Sequence, residues 1–143
     1  NKRLPFIWSD TDTAGMTKGP KDAEAGITSA FAGVEEQQAD SDSILNYYKR
    51  ALRLRNENPE LARGIIEAVE TLCDGHQAVN TKTWEDSTIA VVYNTSDEAI
   101  EVKLTGSAID SMAIRGYLTL HGEAITLENG VLTMPAQSIC IMK

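Results

Sequence analysis

The chain has 143 residues, of which 42% are hydrophobic and 24% are charged, with a formal net charge of −8 at pH 7. This composition is typical of a folded protein with one domain, or one domain and a fragment of another, and the length is enough to bury a core. The acidic balance argues against nucleic acid and anionic membrane as partners, because both need clustered Lys and Arg.

The first segment, residues 1–40, is rich in Gly, Thr, Asp and Pro and shows little periodicity, which predicts a long loop. The chain begins at Asn1 rather than at a methionine, without a signal peptide, so we expect a longer protein upstream. No apolar run approaches the roughly 20 residues that span a bilayer. The sequence does not distinguish a bacterial cytoplasmic location from secretion.

Asp10 and Asp12 in this loop suggest two kinds of chemistry, and neither is well supported. A calcium loop would need oxygen ligands where Ala14 and Lys21 stand. A glycosidase acid/base pair flanks the scissile bond, and its carboxylates usually come from separate segments. Turn chemistry is the favoured interpretation of this Asp-x-Asp.

The clearest element is an amphipathic helix predicted over residues 41–57, ended by Asn58-Pro59. Asp40 or Ser41 is predicted to cap its first turn. Its apolar stripe consists of Ile44, Leu45, Tyr48, Ala51 and Leu52.

Residues 60–143 read as short strands separated by turn signals. The run Ile65–Cys73 fits either a helix or a first strand. Ile89–Tyr93 and Ile100–Leu104 are predicted to form a hairpin around Asn94–Asp97. Asn94-Thr95-Ser96 also matches a glycosylation acceptor, although a hairpin turn explains it without modification.

The C-terminal strands carry the strongest turn signal. Met112, Ile114, Leu118 and Leu120 share one parity, with Gly116 among them. Asn129-Gly130 predicts a two-residue hairpin between Ala124–Leu127 and Val131–Met134, and Ser138–Met142 is predicted as the closing strand. Many short strands with frequent turns predict an antiparallel sandwich or barrel.

The cysteines and histidines are too few and too scattered to predict a metal or cofactor site. Cys73 and Cys140 would form a disulfide only if the fold brings their Cα atoms within about 7 Å. Two buried free thiols are the default expectation. We expect no cofactor and no metal.

Three stretches of the N-terminal half resemble a known family. Residues 3–10 (RLPFIWSD), followed by Ala14-Gly15-Met16-Thr17, resemble a segment of α-amylase-family enzymes, glycoside hydrolase family 13, in which an Arg-x-Pro-Met-x-Trp pattern leads to Ala-Gly-Phe or Thr-Gly-Met. Phe6 stands where the family often has Met. Residues 34–49 are similar to the segment that enters the last barrel helix. Residues 53–64 are similar to its Leu-Arg…Pro-Ala-Leu…Gly ending.

The resemblance implies the C-terminal part of such an enzyme. Residues 1–62 would be the end of the catalytic (β/α)8 barrel, a long loop and one amphipathic helix, and 63–143 an antiparallel Greek-key β-sandwich. The family's nucleophile, general acid and stabilising Asp would lie upstream of residue 1. Arg3, Trp8 and Asp10 would contact substrate at outer subsites, unless Arg3 and Trp8 only brace the loop.

The expected partners follow from the resemblance: the missing catalytic barrel and, through it, an α-glucan substrate. The chain alone would be non-catalytic, with the β domain stabilising the barrel. The helix face and the aromatic residues Phe6, Trp8 and Phe31 should then be under-buried, or should mediate self-association. The alternatives are a carbohydrate-binding module, which needs an exposed aromatic platform from Trp84, Tyr93 or Tyr117, and a protein-interaction module, which needs an exposed apolar patch.

Overall fold

The computed structural model of the chain describes residues 7–10 and 32–143. The chain forms two compact units, Asn1–Tyr48 and Lys49–Lys143. The predicted domain boundary between residues 62 and 63 stays a prediction. Within the described residues the helices are α1 (Val34–Ala39), α2 (Ile44–Glu57) and α3 (Pro59–Arg63).

The short helix α1 lies in the segment that the sequence predicts to be loop throughout. It follows Gly33, and Glu35 and Glu36 in its first turn favour the positive end of the helix dipole. The N–H of Glu35 also donates to the carbonyl of Trp8 at 2.9 Å. The loop prediction over 1–40 is therefore wrong at α1, because a partner distant in sequence satisfies its first turn.

The predicted amphipathic helix is present as α2, but it begins later than predicted and is capped by another residue. The Ser43 hydroxyl accepts a hydrogen bond from the N–H of Asn46 at 3.2 Å, the usual cap geometry. Asp40 instead accepts from the backbone N–H two residues on, at 2.9 Å, in a turn before the helix. Asp40 and Ser41 are therefore not the N-caps of α2, and Asp40 is instead the C-cap of α1.

A further helix, α3, follows where the sequence predicts that helical structure ends. Asn58 is 3% exposed, and its side-chain amide donates to the carbonyl of Leu54 at 2.8 Å, closing α2. Pro59 then occupies the start of α3, where a missing N–H costs nothing because early helical amides have no intrahelical partner. Proline therefore stops one helix and starts the next.

Two antiparallel sheets follow α3 and confirm the predicted β-sandwich. In chain order the strands are β1 (Ile65–Ala68), β2 (Gln77–Trp84), β3 (Ser87–Asn94), β4 (Ile100–Lys103), β5 (Ile114–Leu118), β6 (Thr126–Glu128), β7 (Val131–Met134) and β8 (Ser138–Met142). Sheet A has the order β1-β2-β3-β8-β5, and sheet B has the order β4-β7-β6.

The ambiguous run Ile65–Cys73 contains an edge strand and a turn. β1 pairs with β2, and a short 3-10 turn follows at Glu70–Leu72. The β-branched pair Ile65 and Ile66 favours the extended conformation.

The two runs predicted as one hairpin, Ile89–Tyr93 and Ile100–Leu104, lie in different sheets. The first lies in β3, which pairs with β2 and β8, whereas the second forms β4, which pairs with β7. The Asn94 side-chain amide donates to the carbonyls of Glu98 and Pro135, both at 2.8 Å, and holds the departing chain. The hairpin prediction is wrong because other strands occupy both edges of β3.

The Asn-Gly hairpin is confirmed. β6 and β7 pair with Glu128 opposite Val131, so Asn129 and Gly130 form the two-residue loop. Both loop residues have positive φ, 50° and 76°, as this turn requires. β8 has the bounds that the sequence predicts.

The parity predicted for residues 112–120 does not hold along β5. Ile114 lies opposite Met142, but Gly116 lies opposite Ile141, so the register shifts between them. Leu118 then lies opposite Ile139, on the other face of the sheet from Ile114. Leu120 is 42% exposed. The shift moves one half of the pattern to the opposite face.

The centre of sheet A is buried on both faces, whereas its edge strand β1 is exposed. The inner core, between the sheets, consists of Val79, Ala90, Val92, Val102, Leu104, Ile109, Ile125, Leu132, Met134, Cys140 and Met142. The outer cluster, on the opposite face, consists of Ile89, Val91 and Ile141, with Leu54 of α2 and Leu61 of α3 packed against it. β3 contributes alternate residues to each, as a central strand must.

Candidate functional site

Three residues, Arg3, Trp8 and Asp10, are predicted to contact substrate. Arg3 lies outside the described residues, whereas Trp8 and Asp10 lie in the described segment 7–10. The Trp8 side chain is 62% exposed, and Asp10 is also exposed. An exposed indole offers a flat apolar face to a sugar ring, and a carboxylate accepts hydrogen bonds from hydroxyl groups.

The segment that carries Trp8 and Asp10 is fixed to the start of α1. The backbone N–H of Asp10 donates to Oε1 of Glu36 at 3.1 Å, and Oδ1 of Asp10 accepts from the N–H of Gly33 at 2.8 Å. Ser9 between them is 2% exposed. The backbone here is preorganised, and one oxygen of Asp10 already has a structural partner.

An apolar stripe on α2 is exposed. Ile44, Tyr48 and Leu52, spaced four residues apart, are 56%, 62% and 53% exposed. None of the described residues of α2 is fully buried. This confirms the expectation that the helix face is under-buried, as Trp8 is. Phe6 and Phe31, predicted to share this property, lie outside the described residues. We call Ile44, Tyr48 and Leu52 the exposed stripe.

A second apolar side of the helix contacts the sandwich. Leu54 packs against the outer cluster, and a Cβ placed on Gly116 of β5 would lie 2.6 Å from its Cδ2. Gly116 therefore makes room for Leu54. Leu54 lies outside the apolar stripe predicted from the sequence, and the signal for its contact is a glycine inside a strand, which marks a close approach. The C-terminal half of α2 is apolar on two sides.

The aromatic residues proposed for a binding platform are mostly covered. The guanidinium of Arg63 lies 5.7 Å from the ring centroid of Trp84, which is half-buried. Tyr93 packs against the outer cluster, and Tyr117 is 38% exposed. Of these three, Tyr117 alone is exposed, so they do not offer a platform of several exposed rings.

The two thiols are free, and they differ in environment. Cys140 lies in the inner core, and burial raises the pKa of its thiol to about 12. Cys73 is exposed, so the expectation of two buried thiols is wrong for it; the residue follows a surface 3-10 turn. Asn94 uses both side-chain N–H groups on backbone carbonyls and is 2% exposed, which leaves the folded chain without an accessible glycosylation acceptor there.

The described residues hold no cluster of three or more His, Cys, Asp or Glu side chains that could bind a metal ion. Among the same residues, no helix has the length and apolar character needed to cross a membrane.

Solved structures identify the class of protein. Eubacterium rectale Amy13B matches 99% of this chain and 27% of its own, with a TM-score of 0.87 and 25% sequence identity. An α-amylase from H. orenii shares the fold, with a TM-score of 0.72 over 96% of this chain. The fold is therefore that of an antiparallel β-sandwich with preceding helices as found in amylases.

Sequence relatives identify the family, although no family model matches the chain. An α-glucosidase of Saccharomyces cerevisiae is 34% identical over 115 residues, 73% of this chain and 19% of the relative. A probable α-glucosidase of Rhizobium meliloti is 26% identical over 117 residues, 82% of this chain and 21% of the relative. The chain belongs to the α-amylase family of glycoside hydrolases and spans about a fifth of the length of these curated relatives.

Proposed function

We propose that the chain is the non-catalytic C-terminal part of an enzyme that hydrolyses or transglycosylates α-glucosidic bonds. In the intact protein the upstream barrel would supply two carboxylates for a retaining mechanism, one as nucleophile and one as acid/base. The β-sandwich would stabilise that barrel by holding its last helix. The single observation that carries this proposal is that α2 has two apolar sides: Leu54 in its C-terminal half packs on sheet A, whereas Ile44, Tyr48 and Leu52 are exposed.

The exposed stripe fits a barrel surface as its occupant. Relatives of this chain are about five times as long, so most of such a protein lies outside it. Ile44, Tyr48 and Leu52 are each more than half exposed. Burying the remaining area would contribute about 1 kcal/mol for each side chain. The stripe would therefore add about 3 kcal/mol to the attachment of the helix.

The covered aromatic residues favour this structural role over a carbohydrate-binding module. A sugar platform needs neighbouring exposed rings, whereas Arg63 covers Trp84 and Tyr93 packs against the outer cluster. In the proposed enzyme the substrate contacts would come instead from Trp8, with Arg3 and Asp10 beside it in sequence.

The stripe can be tested with a matched pair of variants in two contexts, the chain alone and the full-length protein. Tyr48→Ser/Leu52→Ser should change the unfolding free energy of the chain alone by less than about 0.5 kcal/mol, because both side chains are exposed. In the full-length protein it should cost about 2 kcal/mol. Urea unfolding measures both. Lys49→Ser/Arg53→Ser, with the same spacing on the same helix, is the control.

Two results would count against a barrel as the occupant. One is an equal effect of Tyr48→Ser/Leu52→Ser in both contexts. The other is a concentration-dependent dimer of the chain alone that this variant abolishes, which would assign the stripe to a second copy.

The catalytic part of the proposal has its own test. The chain alone should release no sugar from α-glucans, and the full-length protein should. In the full-length enzyme Trp8→Ala should raise KM about tenfold with little change in kcat. This is the result expected when a lost contact had stabilised the bound substrate and the transition state equally. Trp84→Ala, in the sandwich, is the control and should leave KM unchanged. Equal KM values for Trp8→Ala and wild type would remove Trp8 from the substrate site.

A further inference from the structure

A buried carboxylate joins α3 to sheet A. Glu60 is 1% exposed although it belongs to a short helix on the outer face of the sheet. Its Oε1 accepts hydrogen bonds from the hydroxyl of Ser87 at 2.5 Å and from Nζ of Lys143 at 2.9 Å. Ser87 opens β3 and Lys143 directly follows β8, so one oxygen contacts two neighbouring strands.

A further strand holds the same helix through the backbone. Nζ of Lys82, on β2, donates to the carbonyl of Leu61 at 2.5 Å. A Cβ on Gly64, at the end of α3, would lie 2.5 Å from the carbonyl oxygen of Glu60 and 3.0 Å from Cβ of Lys82. Glycine therefore allows α3 to approach β2 closely. α3 is attached to β2, β3 and β8, which are adjacent in sheet A.

The charges around Glu60 favour its ionised form. The hydrogen bond from Ser87 lowers the pKa of Glu60 most, burial opposes it, and the bond and charge of Lys143 lower it further, to about 2. Lys143 and Lys82 are the cations that face α3 from the sheet, while Arg63 of α3 lies over Trp84. Oε2 of Glu60 is buried without a hydrogen-bond partner among the described residues. Such a charge is tolerated only while its donors remain in place.

We propose that Glu60 is a positioning residue that pins α3 to β3 and β8, and so fixes where the C-terminal half of α2, residues 49–57, lies on the sandwich. All of these contacts lie within the unit Lys49–Lys143.

Amide hydrogen exchange of the chain tests whether Glu60 holds α3 on the sheet, because exchange reports local opening separately from global unfolding. Glu60→Gln and Lys143→Met should each lower protection of the Leu61 and Gly64 amides about tenfold or more, with less than about twofold change in β7. The double variant should be no worse than either single variant, because both remove one interaction. Lys143→Arg should restore protection. The controls are Glu67→Gln and Lys103→Met, which replace exposed residues of β1 and β4.

Three results would overturn the proposal: unchanged protection of α3 in Glu60→Gln, an equal loss of protection in β7, or single-variant effects that multiply in the double variant. Should Glu60→Gln fail to fold, Ser87→Ala removes one donor from the same oxygen and carries the same expectation.

The pH profile separates the pin from a purely steric role. The pKa of Glu60 is lowered from 4.5 to about 2, so its contribution is fully present above pH 4.5 and is lost as the pH falls toward 2. The wild-type advantage in protection over Glu60→Gln should therefore shrink across this range. A constant ratio of wild-type to Glu60→Gln protection between pH 4.5 and 2 would show that the charge of Glu60 does not hold α3 in place.

Discussion

The two faces of sheet A are buried by different means. The inner core is closed by the second sheet and is lined by apolar side chains, most of them wholly buried. Among the described residues, the outer face carries three buried apolar residues, and Leu54 and α3 are held above it by leucine contacts, by the hydrogen bond from Lys82 to Leu61, and by the ion pair of buried Glu60 with half-exposed Lys143. Two sheets can pack face to face through apolar area alone. A helix with two apolar sides can pack through either of them, so specific contacts are needed to determine which side faces the sheet.

The largest effect should come from the inner core. Leu132 of β7 is wholly buried, so Leu132→Ala removes apolar contacts and leaves a cavity that the sandwich cannot easily close. We expect a loss of about 3 kcal/mol in the free energy of unfolding. Urea denaturation of the chain measures it. Leu120→Ala, at a 42% exposed position, is the control. A loss below about 1 kcal/mol would mean that the inner core does not dominate stability.

A smaller effect is expected on the outer face. Leu54 is half-buried, so Leu54→Ala should cost about 1.5 kcal/mol in the same experiment. Leu52→Ala, two residues away on the same helix but 53% exposed, should cost less than about 0.5 kcal/mol. Equal losses for the two leucines would show that the two sides of α2 are not distinct in the isolated chain.

The smallest perturbation is chemical labelling of the thiols, which probes the inner core without any substitution. At neutral pH an aromatic disulfide reagent should react with Cys73 and leave Cys140 unmodified, because burial holds Cys140 as the neutral thiol. Cys140 should react only as fast as the chain opens. The Cys73→Ser variant isolates that slow reaction. Rapid labelling of Cys140 in the native state would contradict a closed core.

Sequence reasoning was most successful where one segment contains all of its own signal. The stripe of α2, the Asn129-Gly130 turn and β8 each depend on nearby residues, and each is confirmed. The predictions were wrong where residues distant in sequence determine the local structure. α1 is stabilised from residues 7–10, and β3 and β4 separate because β8 occupies the edge that a hairpin would need.

The candidate site shows the same division. Exposure of Trp8 and of the helix stripe agrees with the expectation that a large partner is missing, while contact of Arg3, Trp8 and Asp10 with substrate stays a prediction. Glu60 gave no signal at all, since a glutamate after proline reads as an ordinary first-turn residue. Its buried position depends on Lys143, 83 residues away.

By itself the sequence determined the class of fold, the position of the main helix and the family, because periodicity, turn residues and local motifs act over short distances along the chain. Tertiary structure alone decided which side of α2 packs, which strands are neighbours and which carboxylate is buried. Those outcomes depend on the proximity of residues far apart in sequence, which no local pattern encodes.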